Sequence, residues 1–161
     1  MRIALRRTSS DTSKFIGRLA NWVTRARLVT LFCHGAIVIR GDLYHVTTTK
    51  GVHCLKAGEW EPEKWDLSED IDTERDDARL ALFEQYKGAK YDWFSLLAFV
   101  GIHAKNDRKV YCFEFVHIMF HLINIGQAVP ERITPEVLYD NLLEYLYLKK
   151  SSPHGAPERV L

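Results

Sequence analysis

Apolar and polar positions divide this 161-residue chain into segments of two periods. Residues 31–39 and 43–48 are rich in β-branched and aromatic side chains, and Arg40, Gly41 and Asp42 lie between them. This predicts an antiparallel hairpin. Its two-residue turn is either Arg40-Gly41 or Gly41-Asp42. Residues 3–5, 51–55 and 64–67 read as further short strands, with Gly58 and Pro62 marking a loop before the last. Helical spacing is seen in Phe15, Ile16, Leu19, Trp22 and Val23, after Asp11 or Thr12 as cap. It recurs from Asp72 to Lys87, with Leu80, Phe83 and Tyr86 as the expected buried stripe and Gly88 as the stop. Residues 92–99 predict another helix, and residues 104–109 a polar loop. Cys112 opens a helix reaching about Asn124, and Thr134-Pro135-Glu136 starts a last one running to about Tyr147. The expected class is α+β, a small antiparallel sheet packed by helices. One domain is expected over residues 1–148, followed by a flexible tail at 149–161.

Composition narrows the possibilities. The chain is 47% hydrophobic with a formal net charge of +1, so a packed core is feasible and no global charge favours nucleic acid. Charge is uneven: seven Arg and Lys residues face one acid, Asp11, in the first thirty positions, and residues 59–77 are acidic. These read as solvated faces, or functionally as a basic flank that meets an anionic polymer or a membrane surface. Three cysteines without paired spacing predict reduced thiols. No secretory signal or membrane-length apolar run is visible, which predicts a cytoplasmic chain with no membrane span.

Cys112 stands at a predicted helix mouth, where unpaired N–H groups and the helix dipole favour a thiolate and can hold an oxyanion. His34 begins the strongest strand, before small Gly35 and Ala36. His45 lies on the returning strand. With Arg40-Gly41 as the turn, His45 opposes Ala36 and is diagonal to His34. With Gly41-Asp42, the two separate and Thr47 becomes the substitute. Nucleophile, base and orienting group would then be Cys112, His34 and His45. Glu114 in the first helical turn suits the dipole. Neither Glu114-His117-His121 nor Cys33-His53-Cys54 makes a convincing metal site, so no metal and no cofactor are expected; His53 and Cys54, being adjacent, point to opposite faces.

Three blocks carry a resemblance: Cys33-His34-Gly35-Ala36-Ile37-Val38, Leu43-Tyr44-His45-Val46 and Tyr111-Cys112-Phe113-Glu114-Phe115-Val116. Together they resemble the circularly permuted papain-like (NlpC-type) cysteine hydrolases, of the YiiX/YebB type and the lecithin retinol acyltransferase type. In these the order is histidine, polar residue, cysteine. The opening Met1 to Leu5, Tyr91-Asp92-Trp93 and Ile133-Thr134-Pro135 are similar to phage and prophage members. The resemblance implies a thiol-dependent amidase or endopeptidase acting on peptide or peptidoglycan amides, with virion partners. A lipid acyl substrate is the alternative, since histidine at position 45 matches the acyltransferase branch. A non-catalytic phage structural or interaction protein is a further one.

Overall fold

Alternation along the strands decides what each face of the sheet covers. The computed structural model describes residues 1–7, 32–92, 109–124, 133 and 138. The helices expected at residues 15–23, 92–99 and 134–147, and the tail at 149–161, lie outside the described residues or largely so. Five strands, β1 (Arg2–Arg7), β2 (Phe32–Ile39), β3 (Asp42–Thr47), β4 (Gly51–Leu55) and β5 (Asp66–Leu67), form an antiparallel sheet in the order β4-β3-β2-β1-β5. Ile39 pairs with Asp42, so the hairpin turn is Arg40-Gly41. Both turn residues have positive φ, 53° and 88°, the backbone twist that a two-residue hairpin demands. Ala36 therefore pairs with His45.

Ile3, Leu5, Ile37, Ile39, Tyr44, Val46 and Val52 project to one face, where they form the main core with α1 (Asp76–Tyr86) and α2 (Cys112–His121). Ala4, Ala36, Val38 and Leu43 project to the other, beneath Leu55, Trp60 and Trp65. Helices cover one side and the β4–β5 connection covers the other, an α+β arrangement.

Several elements differ from expectation for local reasons. Pro62–Lys64 is a 3₁₀ turn, which shortens the last strand to Asp66–Leu67. Asp72 heads a second 3₁₀ turn, Thr73–Arg75, and α1 starts only at Asp76. The buried face of α1 is Asp76, Arg79, Leu82, Phe83 and Tyr86, with Leu80 half-buried. Two ionic residues are buried because they are paired. The Met1 amine donates to both Asp76 carboxylate oxygens at 3.0 and 3.2 Å, and Arg79 donates to the Asp72 carbonyl at 2.6 Å and the Met119 carbonyl at 3.2 Å. Helix α2 ends at His121 with Leu122 in the left-handed region, short of Asn124. The expected 104–109 loop ends in a strand: β6 (Lys90–Tyr91) runs parallel to β7 (Lys109–Val110), which brings Tyr91 beside the start of α2. Gly51 holds this unit to the sheet. Its φ is +69°, and a Cβ there would lie 2.2 Å from the Ala89 carbonyl oxygen, while Val52 N–H donates to that oxygen at 2.9 Å.

Candidate functional site

Cys112 is the first residue of α2, after Tyr111 in extended conformation. Glu114 reaches back to accept the Tyr111 N–H at 3.4 Å, so its carboxylate caps the helix. This agrees with a dipole-pairing role. The Tyr111 hydroxyl accepts the Ile133 N–H at 2.8 Å and donates to the Ile133 carbonyl at 3.0 Å, which anchors the helix mouth.

Cys112 is 3% exposed. Burial pushes its pKa up to about 11, opposed by hydrogen bonds from the Gly35 and Phe113 amides and from the Tyr91 hydroxyl. A thiol in this setting rests protonated. The close approach of α2 to β2 depends on Gly35, where a Cβ would stand 2.9 Å from the Phe113 ring.

The predicted histidine pair is brought together. His34 Nε2 lies 3.3 Å from His45 Nδ1, the diagonal contact that the Arg40-Gly41 turn allows. Thr47 is not needed as a substitute; its hydroxyl accepts the Lys50 N–H at 3.2 Å. Beyond His45 comes His53, its cross-strand partner on β4, with Nε2 to Nε2 at 2.9 Å. His53 Nδ1 lies 2.9 Å from the Gly51 carbonyl oxygen. Trp65 packs over the group, its ring centroid 5.6 Å from that of His34 and 6.5 Å from that of His45. Burial, then Arg6 and His53, lowers His34 to about 4. Burial, then His34, His53 and Lys50, lowers His45 to about 3. Both are neutral at pH 7.

The thiol and the histidines do not share a face. His34 and His45 follow the parity of Ala36, Val38 and Leu43 and lie under Trp65, whereas Cys112 packs with α2 on the opposite side of β2. The sequence predicts a direct thiol–imidazole pair; the resting partners of the sulfur are instead two amides and a tyrosine hydroxyl. The two groups are nevertheless neighbours in the chain's geometry. The β2–β3 ladder stops at Ala36–His45, and the amide that meets the sulfur belongs to Gly35, the residue after His34.

From the sequence, His53 is visible only as a metal partner of Cys33 and Cys54. Its membership in the histidine group was encoded in parity, because His45 and His53 fall opposite one another once the β3–β4 turn closes at Thr47–Gly51. Cys54 does point to the other face, into the main core beside Tyr44. Among the described residues no group of three or more His, Cys, Asp or Glu is arranged to hold a metal ion. His45 shows one reason, since both its nitrogens already face other histidines. His117 and His121 stack on α2 with ring centroids 4.4 Å apart, and His117 Nδ1 is buried without a hydrogen-bond partner among the described residues. A cleft of about 800 Å³ lies between Met1, Arg2, Arg40, Trp60, Leu67 and Asp70, at the hairpin-turn end of the sheet. No helix among the described residues is long and apolar enough to cross a membrane. Compared with family models, with curated proteins and with solved structures, the chain matches none.

Proposed function

We propose that this chain is a thiol-dependent hydrolase of amide bonds on a permuted papain-like fold, with Cys112 as nucleophile and His34, oriented by His45, as base. The observation that carries the reading is the junction at Gly35. The buried thiol at the mouth of α2 takes the amide of the residue that follows His34, and His34, kept neutral chiefly by burial, is oriented by its contact with His45. In the reaction the thiol proton passes to His34 and the sulfur bonds to the substrate carbonyl carbon. Amides of the first turn of α2, which point along the helix axis toward the substrate, stabilise the oxyanion. Collapse breaks the C–N bond as His34 returns the proton to the leaving amine. Water then cleaves the thioester. The thiol and His34 must meet round the open end of the β2–β3 ladder for the first step. The resemblance of the three blocks suggests peptide amides of bacterial cell-wall material, in a virion or prophage setting; a lipid acyl ester is the other substrate class.

A second reading has its own observation. The thiol is almost fully enclosed and rests protonated, and His34 turns to the far face of β2. Those features suit a non-catalytic interaction protein. Incubating the wild type and Cys112→Ala with peptidoglycan fragments and, separately, with phospholipid distinguishes the readings. The hydrolase reading expects amine release by the wild type, a thioester adduct on Cys112 by mass spectrometry, and neither in the variant. Equal turnover by Cys112→Ala refutes the nucleophile, and an inert wild type on both substrates supports the interaction protein.

A further inference from the structure

The histidine chain ends on a group that can only accept a hydrogen bond. The Gly51 carbonyl oxygen lies 2.9 Å from His53 Nδ1, so that nitrogen carries a proton. A neutral His53 then has a lone pair on Nε2, and His45 Nε2, 2.9 Å away, must be the donor. His45 Nδ1 is in turn an acceptor, which makes His34 Nε2, at 3.3 Å, the donor to it. One backbone carbonyl thereby sets three tautomers, and Nδ1 of His34 is left without a proton.

We propose that His53 is a positioning residue of this site, fixing the tautomers of His45 and His34 and receiving the positive charge when His34 is protonated. The proposal rests on the hydrolase reading for its purpose but not for its geometry. A proton taken up at His34 Nδ1 forms one N–H bond there. The His34 Nε2 proton moves to His45 Nδ1, and the His45 Nε2 proton moves to His53 Nε2. Two N–H bonds break and three form, with the one added proton accounted for, and His53 ends as the imidazolium. That end of the chain suits a cation. His53 is half-buried where His45 is 7% exposed, and it keeps the Gly51 carbonyl as partner. Positive groups oppose charge at the other two: Arg6 of β1 at His34, and Lys50 of the β3–β4 turn at His45. Trp65, from the β4–β5 connection, covers both of those rings.

The test is ¹⁵N-histidine NMR on the full chain near pH 7, which needs no substrate. The wild type is expected to show His53 as a single Nδ1–H tautomer, with His45 and His34 as Nε2–H tautomers. His53→Gln, whose side-chain oxygen can still accept from His45 Nε2–H, keeps the pattern at His45 and His34. His53→Ala loses it and gives mixed tautomers there. An Nε2–H tautomer at His53, or unchanged patterns in His53→Ala, overturns the proposal. So does stoichiometric zinc uptake by the wild type that is lost in His53→Ala, since the histidines would then be ligands. If amide turnover is observed, His53→Ala shifts the acidic limb of the kcat profile and His53→Gln restores it. Correct tautomers with no turnover on any substrate leave the histidine chain standing and count against the hydrolase reading alone.

Discussion

Replacing Gly35 by alanine tests how closely α2 and β2 are fitted. Gly35 lies mid-strand and its φ is not in the left-handed region, so its backbone tolerates a side chain. Where nothing is in the way, glycine to alanine stabilises by about 0.4–1 kcal/mol, because the unfolded chain loses freedom. Here the added methyl would stand 2.9 and 3.2 Å from two atoms of the Phe113 ring and 3.2 Å from a Val116 methyl. Those residues are 4% and 0% exposed, so neither can swing into solvent. Overpacking of this kind costs about 1–3 kcal/mol. The sum is a net loss on the order of 1–2 kcal/mol, which at a typical urea slope lowers the midpoint by roughly 0.5–1 M. The assay is equilibrium urea unfolding of wild type, Gly35→Ala and Gly35→Ala with Phe113→Leu. The double variant should recover stability relative to the sum of the singles, because the clash is a pairwise term. A Gly35→Ala midpoint equal to or above that of the wild type would show that the helix does not press on this strand.

Stability should also fall on mild acidification. His34, His45 and His117 are lowered from 6.5 to about 4, 3 and 4, chiefly by burial, so between those values and 6.5 the unfolded chain binds more protons than the folded one. Stability is complete above about pH 6.5 and is lost as pH drops toward 4, at up to about 1.4 kcal/mol per pH unit for each group. Urea midpoints at pH 7.5 and 5 check this, and a flat or rising midpoint on acidification contradicts it. Arg79→Ala removes a guanidinium with a side chain 2% exposed, takes one ionic partner from each of Asp72 and Asp76, and takes the guanidinium donor from the Asp72 and Met119 carbonyls. Breaking a buried pair typically costs about 3–5 kcal/mol, a fall in Tm of roughly 6–20 °C for a chain this size. A melt within a degree or two of the wild type would show the network to be dispensable.

Local information carried much of this structure. Alternation over residues 32–39 and 42–47 identified the hairpin, and the turn residues narrowed its register to two choices, of which the described backbone adopts Arg40-Gly41. The meeting of His34 with His45 was legible for that reason, as was the opening of a helix at Cys112. The buried face of α1 was not. Asp76 and Arg79 are polar by any residue scale, and they are inside only because Met1 and Asp72, remote in sequence or in an irregular turn, neutralise them. The short parallel pairing of Tyr91 with Val110 was likewise invisible, since two residues carry no period.

What the sequence determined by itself was the existence of the β2–β3 hairpin and of the helices at residues 76–86 and 112–121, and which residue types are chemically able to act. Which side of the sheet each one serves was decided only by tertiary structure. Parity puts consecutive residues on opposite faces, but nothing in a local window says which face a helix will cover. Docking of α2 over Gly35 placed Cys112 on one side, and Trp65 of the β4–β5 connection packs against His34 and His45 on the other. The physical reason is that burial acts on whole faces at once, through contacts between segments far apart in the chain.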